Sequence, residues 1–242
     1  MRWIYVSPHF DDAVLSCGGL IWEKTQKGIP VEIWTVCAGD APPGPLSLLA
    51  MVCHQQWGSE TAEDVVAARR NENQEAAALV GAETVNFSIP DCIYRRPPIG
   101  ELLYPEDVFV PIHTIEKNLD ADIAAALTSE LQPDDMIVSP LAIGTHLDHV
   151  LTRLAAEHLD RPIWYYADIP YLINHPEMLD PATKGLKETL YPISEKGLGV
   201  WQSGIAAYAT QILMLFETGE KMQEAIRVYW ENQRGVRLWC AA

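Results

Sequence analysis

The chain has 242 residues, 48% of them hydrophobic and 21% charged, which is the make-up of a globular protein with room for a full core. Its 17 basic and 33 acidic residues give a net charge of −16, which argues against nucleic acid or an anionic membrane as partner. The five cysteines, at 17, 37, 53, 92 and 240, form no close pair and no CxxC, so neither a disulfide framework nor a thiolate metal site is expected.

No basic segment followed by an apolar leader opens the sequence, and no run is long enough to span a bilayer, so a reduced, cytoplasmic protein without membrane insertion is expected. No linker-like stretch divides it, and one domain over residues 1–242 follows.

In chain order, Trp3-Ile4-Tyr5-Val6 is short, β-branched and aromatic, and is expected as a buried strand ended by Pro8. A helical pattern runs from Ala13 to about Lys27, with Gly28 as its stop and Gly18-Gly19 permitting close approach of the sheet or a ligand. Val31–Cys37 is a second strand, followed by a Pro-rich loop from Ala41 to about Ser59. Glu60–Leu79 is helical and stops at Gly81, and Thr84–Ser88 is a third strand. Residues 93–112 form another Pro-rich excursion, which includes Pro98, before a helix over Ile115–Leu131 and a strand over Asp135–Pro140. Thr145-His146-Leu147-Asp148 has the form of a capping box, which starts a helix running to about His158. Ile163–Ala167 is a fifth strand, 168–198 is irregular, and helices near 200–216 and 218–231 close the chain.

This alternation indicates an α/β fold, a Rossmann-like three-layer sandwich with a mostly parallel central sheet and helices on both faces. Ligands in such folds bind outside the carboxyl ends of the strands. The polar clusters fall there: His9-Asp11-Asp12, Asp40, Asp91 and His146-Asp148-His149. No Gly-rich phosphate loop is present, which argues against a nucleotide site.

Adjacent carboxylates repel when both are ionised, and a divalent metal removes that cost. His9 and Asp12 can ligate it while Asp11 faces whatever the metal activates. A single helix cap would explain one aspartate and leave the other and His9 without a role. Either His146 or His149 can complete a set of two imidazoles and one carboxylate, which leaves an open position for water. Zinc is the expected ion, with Fe2+ chemically compatible with the same donors. Asp11 can then act as general base, and a second imidazole, held by Asp148, can stabilise an oxyanion. Such a site hydrolyses an amide or an ester.

His9-Phe10-Asp11-Asp12 with Val14-Leu15-Ser16-Cys17-Gly18-Gly19, and His146-Leu147-Asp148-His149 downstream, resembles the LmbE-like or PIG-L family of zinc-dependent N-deacetylases. Arg69-Arg70-Asn71-Glu72 with Ala76 and Leu79-Val80-Gly81, and Tyr208-Ala209-Thr210-Gln211, are similar to two further helices of that family. The resemblance implies His9, Asp12 and His149 as metal ligands, Asp11 as base, and His146, with Asp148, at the carbonyl or oxyanion. It also implies Arg69, Asp40 and Asp91 as sugar-binding residues. Family members deacetylate N-acetylglucosamine-type sugars and glycoconjugates, so a small N-acetylated sugar is the expected partner. The chain departs from the pattern at Ala13, where the family often has Glu.

Two alternatives stand beside this reading. One is a zinc amidohydrolase acting on a non-sugar acyl amide, and the other a metal-containing carbohydrate-binding protein without turnover. Asp11 weighs against the second, because a binding module has no use for a base. A homo-oligomer is left open by apolar residues such as Leu48, Leu49, Met51 and Val52 in the first loop.

Overall fold

The computed structural model describes residues 1–97 and 100–241; residues 98 and 99 of the second Pro-rich excursion, and residue 242, lie outside it. The strands are β1 (Trp3–Ser7), β2 (Val31–Thr35), β3 (Glu83–Asn86), β4 (Met136–Pro140), β5 (Ile163–Tyr166), β6 (Leu186–Pro192) and β7 (Gly235–Ala241). The helices are α1 (Asp12–Thr25), α2 (Leu48–Trp57), α3 (Ala62–Val80), α4 (Leu119–Glu130), α5 (Leu147–Glu157), α6 (Tyr171–Asn174), α7 (Leu179–Ala182), α8 (Glu195–Ala206), α9 (Ala209–Phe216) and α10 (Gly219–Gln233).

The strands make one sheet in the order β3-β2-β1-β4-β5-β7-β6. The first five run parallel, and β7 and β6 add an antiparallel edge. Period-two alternation in β1 sends Trp3 and Tyr5 to one face and Ile4 and Val6 to the other. The first face packs under α1, α3, α8 and α10, the second under α4 and α5, which gives three layers. From β1 the chain winds outward through β2 and β3, then returns to lay β4 on the other side of β1. The loops after β1 and β4 therefore part in opposite directions and leave a crevice at their carboxyl ends.

Three expectations need correction. The loop expected at 41–59 contains α2, whose Ser47 side chain accepts from the Ala50 amide at its start and whose left-handed Gly58 closes it. The irregular stretch 168–198 contains β6, and the tail beyond residue 233 returns as β7, whose Val236 and Leu238 are buried on one face. The helix expected at 200–216 is two, α8 and α9, broken where Tyr208 leaves helical geometry. There its hydroxyl lies 2.9 Å from the Phe10 carbonyl oxygen and 3.0 Å from Asn73 Oδ1, so a tertiary anchor overrides helix propensity.

Gly18 lets α1 approach α8 rather than the sheet. A Cβ built on it would lie 2.6 Å from Trp201 Cδ1. That indole is fully buried, and its N–H is fixed on the Val14 carbonyl at 2.8 Å, so it has little freedom to move aside. Gly18→Ala gains about 1 kcal/mol of helix propensity but incurs about 1–3 kcal/mol of overpacking. A net loss of stability of up to about 2 kcal/mol is expected in urea unfolding.

Candidate metal centre and active site

The loop after β1 carries His9, Asp11 and Asp12, all buried. Asp11 stands at the N-cap of α1, yet its side chain makes no cap hydrogen bond. Ser7 takes that role instead: its Oγ accepts from the Ala13 amide at 3.0 Å. Ala13 itself is fully buried in the core beneath the site. Both aspartates are thus released from helix capping. Asp12 Oδ2 lies 3.2 Å from His9 Nδ1, and Asp12 Oδ1 lies 3.4 Å from His149 Nε2.

The β4–α5 loop brings in the histidines. Thr145 is left-handed (φ 61°), so the expected capping box does not form. His146 is the N-cap instead, its Nδ1 accepting from the Asp148 amide at 3.2 Å. His149 follows in the first turn of α5. Donor atoms of His9, Asp12 and His149 lie within 4.8 Å of one another, a convergence suited to one divalent cation.

Each imidazole of that set is held from behind by a buried carboxylate. His9 Nε2 is 3.1 Å from Asp148 Oδ2, and His149 Nδ1 is 2.7 Å from Asp168 Oδ1. Such partners fix the tautomer and leave the other nitrogen free for a metal. Asp148 is in turn held by Arg95 Nη1 at 2.5 Å and the Cys92 amide at 3.0 Å, and Asp168 by the Ile143 amide at 2.9 Å. Asp148 therefore supports His9 with its carboxylate and His146 only through its backbone, unlike the sequence expectation that its side chain holds the second imidazole.

The electrostatics follow from this packing. Burial pulls the His9 imidazole down, but Asp91, Asp12 and Asp148 outweigh it and leave His9 well above the usual imidazole range. His149 is raised for the same reason, burial being outweighed by Asp12 and Asp168. Both positions favour a cation. His146 is the opposite case: burial, with His9 and His149 beside it, holds it well below the usual range. Neutral and with Nδ1 accepting, it carries its proton on Nε2. Burial and the Asp12 charge raise the Asp11 carboxyl, against the pull of Arg69 and His9.

Arg69, on α3, is buried over the Trp57 ring at 4.9 Å and reaches both Asp11 Oδ1 (3.0 Å) and Asp91 Oδ2 (3.4 Å). It therefore holds the two carboxylates at the site's edge rather than pairing with Glu72, which accepts from Thr210 on α9 instead. Asp11, Arg69 and Asp91, with His9, Asp12, His146 and His149, line a cavity of about 360 Å³ that also includes Trp57, Phe109, Tyr171 and Gln211. Asp40 is not brought to it: its side chain is 86% exposed and pairs with Arg70 at 2.9 Å.

The sequence reading missed Asp168, Arg95 and Phe109. Asp168 follows the end of β5 just as His9 follows β1, so the strand-end rule would have found it. Arg95 sits in a Pro-rich loop and gave no signal. Among the described residues, no helix is long and apolar enough to cross a membrane.

A family profile described as "PIG-L: GlcNAc-PI de-N-acetylase" matches residues 4–159. The chain is 27% identical to a 2'-N-acetylparomamine deacetylase of Niallia circulans, over 98% of this chain and 92% of that protein. A solved structure of the zinc-inhibited form of teicoplanin deacetylase Orf2 superposes with a TM-score of 0.84 at 25% identity, covering 99% of this chain and 97% of the other. The antimicrobial reagent A40926 pseudoaglycone deacetylase Dbv21 superposes with a TM-score of 0.73 at 27% identity, covering 99% and 96%.

Asp168→Asn removes the negative charge that His149 Nδ1–H is directed at, while keeping the shape. Metal affinity is expected to fall about 10–100-fold in competition with a chelator. Unchanged affinity would show that Asp168 does not support a metal ligand.

Proposed function

Because the chain belongs to the PIG-L family of GlcNAc-PI de-N-acetylases, and so is a metal-dependent N-deacetylase, we propose that it hydrolyses the acetamide of an N-acetylated amino sugar or glycoconjugate with a zinc ion held by His9, Asp12 and His149. The observation that carries this reading is the paired support of the two imidazoles, His9 by Asp148 and His149 by Asp168, with Asp12 facing both. Two nitrogens and one carboxylate suit zinc, and Fe2+ is the competing ion.

When bound by His9, Asp12 and His149, the ion would act as a Lewis acid and lower the pKa of water to about 7. The rest is done by side chains. Asp11 has one oxygen fixed by Arg69, and its other oxygen takes the proton of the attacking water. Its raised carboxyl pKa brings its basicity closer to neutrality than an exposed aspartate's. His146, neutral with the proton on Nε2, donates to the oxygen on which charge develops. Asp11 then returns its proton to the leaving amine. Asp91 and Arg69 lie at the edge of the same cavity, where sugar hydroxyls can reach them. Asp40 is too far out for that role and serves as a surface partner of Arg70.

A non-sugar amide substrate remains the second reading of the same chemistry, and a binding protein without turnover leaves the Arg69-held Asp11 unexplained. Amine release from a panel of N-acetylated sugars, with metal analysis of the same samples, tests the proposal. Asp11→Asn is expected to lower kcat about 10²–10⁴-fold while metal content stays at one ion per chain. Full activity in that variant, or turnover with no bound metal, would contradict it.

A further inference from the structure

The turn that delivers His146 is strained. Within Ala142–Thr145, three residues have a left-handed backbone: Ala142 at φ 59°, Gly144 at 87° and Thr145 at 61°. That conformation is costly for any residue with a Cβ, most of all a β-branched one, and it persists only where surrounding contacts fix it. Polar ties fix the first half of the turn. The Leu141 amide donates to the Tyr166 carbonyl at 2.8 Å, and Arg153 Nη1 to the Leu141 carbonyl at 2.9 Å. The Ile143 amide donates to Asp168 Oδ2 at 2.9 Å. In the second half, the Thr145 amide turns back on the Ala142 carbonyl at 3.1 Å, a tie within the turn itself.

Against that second half lies the ring of Tyr171, the first residue of α6. A Cβ built on Gly144 would fall 2.6 Å from Tyr171 Cγ and closer still to its Cδ1, so the ring is flush with the Gly144 backbone. The same ring meets that of His149 edge-on at 5.4 Å and that of Phe109 at 6.1 Å, and Phe109 in turn meets His146 at 5.7 Å. Tyr171 is itself rooted in the fold. The Leu172 amide donates to the Asp168 carbonyl at 2.8 Å, and the Ile169 amide to Ser16 Oγ of α1 at 3.0 Å.

We propose that Tyr171 is a positioning residue for the oxyanion step, its ring wedging the strained turn from the cavity side and so setting where the His146 imidazole points. Glycine at 144 is what lets the ring come so close, because any side chain there would displace it. The wedge needs the ring and not the hydroxyl, which separates it from a group that donates to substrate. Metal binding does not depend on it, since His149 is held by Asp168 and His9 by Asp148. Loss of the ring therefore frees the turn and His146 while the metal ligands stay in place. A misplacement of about 1 Å in a catalytic group can cost about 100-fold in rate.

The assignment rests on the deacetylase reading, in which His146 donates to the developing oxyanion, and two readouts separate them. In the amine-release assay, Tyr171→Leu is expected to lower kcat about 10–100-fold, with KM and metal content nearly unchanged. Tyr171→Phe should stay within about twofold of the unsubstituted protein, and Gly144→Ala, which drives the ring off the turn, should lose kcat as Tyr171→Leu does. In a His146→Ala background, Tyr171→Leu should cost little more, because it acts through that imidazole. An equal loss in Tyr171→Phe, loss of metal in Tyr171→Leu, or additive losses with His146→Ala would overturn the wedge. Nitrogen-15 NMR of the histidine rings reads the same effect without turnover: the His146 signals should broaden or shift in Tyr171→Leu and not in Tyr171→Phe. Unmoved His146 signals in Tyr171→Leu would overturn the wedge whatever the substrate. No turnover of any N-acetylated substrate by the unsubstituted protein would overturn the deacetylase reading, and the NMR comparison would then decide the wedge alone.

Discussion

Five carboxylates, those of Asp11, Asp12, Asp91, Asp148 and Asp168, are buried around one crevice, with two arginines, Arg69 and Arg95, set against them. Each unpaired buried carboxylate costs several kcal/mol, so the excess negative charge must be met. Arg95 meets Asp148, and Arg69 meets Asp11 and Asp91. Asp12 and Asp168 are left with the imidazoles of His149 and His9. In the proposed centre, a divalent cation between His9, Asp12 and His149 would offset most of the remaining negative charge, the same charge that raises both imidazoles. Much of the rest of the architecture serves to hold these groups together.

The fold does this by topology. His9 follows β1 and His149 follows β4, adjacent parallel strands whose loops diverge at the reversal of strand order. Neither loop alone contains all three proposed metal ligands; pairing β1 with β4 brings them together. Asp168 comes from the next strand along, β5, and Arg69 and Asp91 from the α3–β3 side. The set is therefore assembled from segments far apart in sequence and held at strand and helix ends, with α2, α9 and the loops lining the rest of the cavity.

The parallel half of the sheet was legible because its strands are short apolar runs separated by strongly periodic helices. The antiparallel edge was not. Leu186–Pro192 is half exposed and contains Lys187 and Glu188, so its pattern is that of an edge rather than a core strand. The motif histidines and aspartates stood out as costly clusters, but their partners did not. Arg95 lies among prolines, and Asp148 sits beside His146 in sequence while its carboxylate faces His9. Sequence adjacency suggested the wrong pair, and only the turn of α5 decides which imidazole a carboxylate one or two residues away can reach. Asp40 failed for a plainer reason: a strand-end acid next to an arginine on a helix surface can simply pair with it.

X-ray absorption at the metal edge of the zinc-loaded protein tests the proposed centre most directly. Among the described residues, the two other clusters that could hold an ion both contain a thiol, Cys37 with His9 and Asp148, and Cys92 with His146 and Asp148. The site built on His9, Asp12 and His149 predicts nitrogen and oxygen neighbours only, at about 2.0–2.2 Å. A sulfur neighbour at about 2.3 Å would place the ion elsewhere and contradict the mechanism built on Asp11 and His146.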